Sequence, residues 1–182
     1  MGVDKAFLEL DSQTLLARAI AVAAQVTQRV GLLGDQNKLG PFGTVVEDIY
    51  AGRGPLGGIH AALMNTATDL NLMLAVDLPF VGVEFLRYLI SQSQGSNAVV
   101  TVPRAGGVFQ PLCAVYRKDF AEVAGRSLQG GQNKIGALFG EVHTRVIEED
   151  ELTNAGFTIK IFRNLNTRQD WEEAKQDFGK SS

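Results

Sequence analysis

The run Leu72-Met73-Leu74-Ala75-Val76-Asp77-Leu78-Pro79 decides the fold. Five apolar residues in succession, with no polar alternation, describe a strand covered on both faces, as central strands of α/β sheets are. Asp77 stands where that buried strand stops, and Pro79 prevents its continuation. Outward from this strand, short apolar runs alternate with stretches of helical spacing. Upstream, the residues from Asp11 to Val26 carry apolar side chains at helical intervals, with Asp11 or Ser12 placed to cap. Val30 to Leu33 and Thr44 to Val46 read as strands. The segment Gly52 to Gly58 reads as a loop leading into a helix through Ile59, Ala62 and Leu63. Downstream, Val83 to Ile90, Asp119 to Leu128 and Lys134 to Phe139 read as helices. Ala98 to Val102, Leu112 to Tyr116, Val142 to Ile147 and Phe157 to Phe162 read as extended. Thr167, with Asp170 three residues on, opens a last helix through a capping box. The alternation predicts a three-layer α/β fold with a mostly parallel sheet, in which ligands gather beyond the carboxyl ends of the strands.

The 182 residues, 45% hydrophobic, suffice for one domain with a sizeable core, and no linker divides them. A net charge of -3 speaks against a general electrostatic grip on nucleic acid. The single cysteine, Cys113, excludes an internal disulfide and a multi-cysteine metal site, and reads as core. No apolar run approaches the ~20 residues of a spanning helix, and the opening MGVDKAFLEL has no signal core, so the expected setting is cytoplasmic, without membrane contact.

Asp48 and Asp77 both follow strands, where a carboxylate can hold a hard cation such as Mg²⁺ through oxygen. An aspartate there is also a common turn former. The Gly54-Pro55-Leu56-Gly57-Gly58 run permits close backbone approach to an anion, or is a plain tight turn. The same two readings hold for Gly106-Gly107 and for Gly130-Gly131, with Lys134 nearby. Lys5 is a compact cation that can meet a phosphate, although terminal lysines are commonly just solvated. His60 and His143 lack metal-ligand spacing, and no Ser-His-Asp arrangement is visible.

Taken in order, several segments resemble the molybdenum cofactor guanylyltransferases. Met1-Gly2-Val3-Asp4-Lys5 matches the second half of the family's opening. Val45-Val46-Glu47-Asp48 matches a strand ending in a nucleotide-binding aspartate. Gly54 to Gly58 matches a Gly-Pro-Leu-Ala-Gly loop with Gly57 in the alanine place, and Ala75-Val76-Asp77-Leu78-Pro79-Phe80 matches a metal-binding Cys-Asp-x-Pro segment with Val76 in the cysteine place. Gln110-Pro111 resembles the start of a His-Pro strand, and Asn164-Leu165-Asn166-Thr167 an Asn-x-Asn-Thr-Pro ending with Arg168 in place of proline. That ending favours guanylyl over cytidylyl transfer.

The resemblance implies a Rossmann-like nucleotidyltransferase fold. It implies that GTP and molybdopterin, or its molybdenum-loaded form, are substrates, that Mg²⁺ is the cofactor, and that molybdoenzymes or other cofactor-biosynthesis proteins are partners. It assigns Asp77 to the metal and Lys5 to the reacting phosphates. Asp48 falls to the nucleotide, and Gly54, Pro55, Leu56, Gly57, Gly58, Asn164 and Asn166 to the pterin side. Leu33 and Gly34 stand where the family often has a nucleotide-contacting asparagine. Against the family pattern, the expectation for residues 1–182 is a single, N-terminally incomplete domain, whose first strand and glycine loop would precede Met1. Another nucleotidyltransferase, on a cytidylyl or sugar-phosphate substrate, and a non-catalytic binding homologue are the competing readings.

Overall fold

The computed structural model describes residues 4–165 and 167–179. After a 3-10 turn, Lys5–Phe7, a two-residue hairpin pairs β1 (Glu9–Leu10) with β2 (Gln13–Thr14). Its turn residues Asp11 and Ser12 both have positive φ, 54° and 61°, the signature of a type I′ turn. The expected helix from Asp11 is therefore shorter. Helix α1 is Leu15–Ala23, and Thr14 caps it by accepting from the Ala17 N–H at 3.1 Å.

Strand β3 (Gly31–Leu33), α2 (Gln36–Leu39) and β4 (Thr44–Val46) follow, with β3 and β4 paired in parallel. Then come α3 (Pro55–Asn65), β5 (Leu70–Leu74), α4 (Val83–Gln94), β6 (Val100–Ala105), β7 (Val108–Phe109) and β8 (Cys113–Arg117). The chain continues through α5 (Phe120–Gln129), α6 (Ile135–Leu138), β9 (Thr144–Ile147), α7 (Glu149–Asn154) and α8 (Arg168–Gly179).

The α/β class holds, and the main sheet is mixed. Strands β5, β6 and β9 share one direction, but β8 lies antiparallel between β5 and β6. The expectation of mostly parallel pairing is corrected here for a simple reason. Parallel neighbours need a crossover of about a dozen residues or more, whereas β6 ends at Ala105 and β8 begins at Cys113. Gly106 and Gly107, at φ 57° and 77°, turn this short link into the β6–β7 hairpin. The plain-turn reading of that glycine pair is the right one, and the Gly106 N–H donates to Glu149 within the chain, at 2.9 Å.

Strand alternation distributes side chains to two cores, one on each face of the sheet. Met73, Val100, Val102, Ala114 and Tyr116 join Leu56, Ile59 and Leu63 of α3 and Phe120, Ala124 and Leu128 of α5. Cys113, Val115 and Ile147 join Phe85, Leu86 and Leu89 of α4 and Leu152 of α7 on the other face. Three layers result, with each fully buried leucine or phenylalanine adding about 1.5–3 kcal/mol. Burial pushes the Cys113 thiol up to about 12, so it stays a protonated core group.

Phe157 to Phe162 is not extended. Both end rings meet Phe85, at 5.1 Å and 5.2 Å between centroids, and an extended run would hold them roughly 16 Å apart. The segment instead turns through a 3-10 helix, Ile159–Phe162. The capping box at the last helix is present, with the Thr167 N–H donating to Asp170 at 2.7 Å and the Asp170 N–H to Thr167 at 3.1 Å.

Candidate active site

Strand β5 hands over to the Asp77 segment through the Ala75 N–H, which donates to the Leu112 carbonyl at 2.7 Å. Two successive turns follow, Leu78 N–H to Ala75 O and Val81 N–H to Leu78 O, and both Leu78 and Val81 are buried. Asp77, half-buried between these anchors, is held by its main chain rather than by its carboxylate. Among the described residues that carboxylate has no hydrogen-bond or ion-pair partner. Its own carbonyl accepts from the Leu165 N–H at 3.3 Å, which brings the 164–165 segment beside it. Leu165 is buried with Leu10, Leu15 and Ala174, and Asn164 next to it is exposed. Asn166 lies outside the described residues.

Asp48 follows β4 by two residues and is exposed. Glu47, just before it, accepts from the Gln36 N–H at 3.2 Å and so ties the end of β4 to the start of α2. The Gly54 to Gly58 segment is corrected from loop to helix: only Gly54 lies outside, and residues 55–58 form the first turn of α3. Gly54 has φ 64° and ψ -157°, a region open to glycine, and Pro55 takes the first helical position, where its missing N–H costs nothing. Asp48 lies against this turn. A Cβ on Gly57 would stand 3.6 Å from Asp48 Oδ2, and one on Gly58 would stand 3.5 Å from Asp48 Oδ1. The carboxylate thus faces the positive end of an eleven-residue helix dipole. Leu33, at the end of β3, closes the same corner, 3.7 Å from the Gly58 position.

Lys5 opens the N-terminal 3-10 turn. Asp4 caps that turn by accepting from the Ala6 N–H at 3.3 Å, and pairs with Lys38 at 3.4 Å. Ala6 is buried with Leu16 and Leu32, and Val45 and Val76 pack on the same cluster. The immediate neighbours of Lys5 and of Asp77 therefore share one small core with the β3–β4 pair. The structure brings Asp77 to Leu165 and Asp48 to Gly57 and Gly58, while no hydrogen bond or ion pair links Asp48 with Asp77 among the described residues.

The remaining candidates recede. His60 is 7% exposed within α3, its ring edge-on to Tyr50 at 5.2 Å, and burial lowers its basicity. Sequence reasoning did not single out Leu165 or Arg163, because their contacts with the Asp77 turn are made across more than eighty residues of chain.

No helix among the described residues is long and apolar enough to cross a membrane. Nor do three or more His, Cys, Asp or Glu side chains gather there as a metal cage. The donor set at Asp77 is a single carboxylate. That suits a hard cation brought with phosphate oxygens, because Mg²⁺ is held by one or two carboxylates plus substrate.

The sequence profile of the MobA-like NTP transferase domain matches residues 1–145. A probable molybdenum cofactor guanylyltransferase of Pelotomaculum thermopropionicum is 36% identical over 177 residues, covering 96% of this chain and 85% of the relative. The molybdenum cofactor guanylyltransferase of Syntrophotalea carbinolica is 28% identical, covering 95% of this chain and 83% of its own. Among solved structures, molybdopterin-guanine dinucleotide biosynthesis protein A from Archaeoglobus fulgidus superposes with a TM-score of 0.85 at 22% identity, over 98% of this chain and 92% of that one. The 2-C-methyl-D-erythritol 4-phosphate cytidylyltransferase of Thermus thermophilus gives 0.74 at 16%, over 94% and 92%. At these identities the structural likeness speaks for the fold alone. The profile match over most of the chain, with the 36% identical relative, decides the family: this chain belongs to the MobA-like NTP transferases.

Proposed function

We propose that the chain transfers GMP from GTP to molybdopterin or its molybdenum-loaded form, yielding the molybdopterin guanine dinucleotide cofactor and pyrophosphate. The observation that carries this reading is the Asp77 carboxylate. It stands unpartnered among the described residues, three residues beyond the end of β5 and half-buried, in a chain whose guanylyltransferase relatives align over nearly its full length.

In the reaction the terminal phosphate oxygen of the pterin attacks the α-phosphorus of GTP. A P–O bond forms between them, the bond from the α-phosphorus to the α–β bridging oxygen breaks, and that oxygen leaves with pyrophosphate. Such transfers depend on positioning and on charge neutralisation. Asp77 would hold Mg²⁺, and bound there the ion supplies charge neutralisation at the triphosphate. The turns anchored by Leu78 and Val81 hold the main chain that presents the Asp77 carboxylate. Lys5 offsets charge at the reacting phosphates as a point cation. Asp48 fixes the nucleotide from the corner it shares with α3, and residues Gly54 to Gly58 with Asn164 and Asn166 shape the pterin side. The setting is cytoplasmic, and the recipients of the product are molybdoenzymes or other cofactor-biosynthesis proteins.

The test is product analysis by mass spectrometry after incubation with molybdopterin, Mg²⁺ and each nucleoside triphosphate in turn. The expected product is the guanine dinucleotide. A cytosine dinucleotide alone would reassign the base. Absence of both transfer and nucleotide binding would make the chain a non-catalytic relative.

A further inference from the structure

The turn that carries Asp77 runs on to Phe80, and Phe80 is held from the other end of the chain. The guanidinium carbon of Arg163 lies 4.4 Å from the Phe80 ring centroid, within the range of a cation–π contact. Phe178 of α8 stacks on Phe80 at 5.1 Å and 20° between ring planes. Arg18 of α1 lies 4.4 Å from the Phe178 centroid, which continues the ladder to the far side. Arg163 is itself fixed: its Nη2 donates to Asp177 Oδ2 at 2.9 Å, and its Nη1 lies 3.9 Å from Glu173 Oε2. Its Nε is buried with no hydrogen-bond partner. A buried donor left unsatisfied is a cost, and here it accompanies a guanidinium placed over the Phe80 ring. Two residues further on, the Leu165 N–H donates to the Asp77 carbonyl.

We propose that Arg163 is a positioning residue for Asp77: with Leu165 it clamps the 77–80 turn at both ends, through the Asp77 carbonyl and the Phe80 ring, and so fixes the direction in which the carboxylate meets a metal–nucleotide ligand. The inference rests on the reading of Asp77 as the metal-holding group. The partner shell around a metal-holding carboxylate commonly controls affinity by 10- to 100-fold, and the clamp supplies that shell by packing instead of by a hydrogen bond to the carboxylate.

The experiment compares the wild-type chain with Arg163→Ala, Arg163→Lys and Phe80→Leu. Mn²⁺ retained in the presence of GTP is measured by electron paramagnetic resonance, and amide hydrogen exchange across residues 76–81 is measured without ligand. Arg163→Ala and Phe80→Leu are expected to weaken Mn²⁺ retention about 10-fold and to speed exchange at 76–81. Arg163→Lys, which keeps a cation over the ring, is expected to recover part of both. A lower melting temperature with unchanged Mn²⁺ retention and unchanged exchange at 76–81 would overturn the proposal and leave Arg163 as a tie for α8. If the wild-type chain itself retained no Mn²⁺ with any nucleoside triphosphate, the transfer reading would fall together with the metal half of this inference. The exchange measurement would still decide whether the turn is clamped.

Discussion

Replacing Gly58 by alanine separates what α3 needs for stability from what the corner at Asp48 needs for chemistry. Gly58 lies in the first turn of α3, and glycine in a helix costs about 0.8–1 kcal/mol relative to alanine. The added Cβ would meet Asp48 Oδ1 at 3.5 Å and Leu33 Cδ1 at 3.7 Å, which are ordinary contacts. The helix gain therefore survives, and for a domain of this size it raises the melting temperature by about 2–4 °C. The same methyl fills the gap between α3 and the Asp48 carboxylate, where a nucleotide held by Asp48 would approach the helix. A displacement of the order of 1 Å at a reacting group can cost about 100-fold, so the rate of pyrophosphate release with GTP and molybdopterin should fall by about 10- to 100-fold. Gly57→Ala is the internal control. Its Cβ would press on the Tyr50 carbonyl at 3.1 Å, so the gain in melting temperature should be smaller, at a position where the family pattern carries alanine. The assays are thermal unfolding by circular dichroism and initial rates of pyrophosphate release. A stabilised Gly58→Ala chain with an unchanged rate would refute the assignment of this corner to the nucleotide. A destabilised one would refute the packing argument.

The other expectations test the remaining elements. Gly54→Ala forces a side chain into φ 64°, ψ -157° and should destabilise by about 1–3 kcal/mol, read as a lower midpoint in urea; an unchanged midpoint means the turn relaxes without cost. Asp77→Asn should lower metal-dependent transfer by about 10²–10³ with a melting temperature near that of the wild type, and near-normal turnover would remove Asp77 from the mechanism. Lys5→Ala should reduce the rate with GTP more than it reduces stability; a large fall in melting temperature with unchanged kinetics would make Lys5 structural. Glu151, paired with Arg145 at 2.5 Å, is held below the usual carboxylate range chiefly by that hydrogen bond. Its contribution is complete above the ordinary glutamate value of about 4.3 and is lost as pH falls through the depressed folded value. Glu151→Gln should therefore flatten the acid limb of the stability profile, and an unchanged limb would show the pair to be idle.

Much of this protein is legible along the chain. The apolar run before Asp77 announces a strand, but not its place. Among the described residues β5 pairs with β8 alone at the edge of the main sheet, and of Leu70–Leu74 only Met73 is buried, so the expectation of a central strand covered on both faces is corrected. Thr167 and Asp170 announce the start of α8, because a capping box is built from residues three apart. The segments that carry the family resemblance are equally local. Strand direction was harder to see, although the seven residues between Ala105 and Cys113 already forbid a helical crossover. Only the tertiary structure could make Gly57 and Gly58 the first turn of a helix set against Asp48, since that contact depends on where β4 ends relative to α3. Only it could turn Phe157 to Phe162 back on itself, since Phe85 attracts both rings at once. The clamp of Arg163 and Leu165 on the Asp77 turn is of the same kind. Periodicity and caps are set by neighbours a few residues away and can be read from the chain, whereas the hold on the turn that carries Asp77 is set by groups that meet only when distant segments pack.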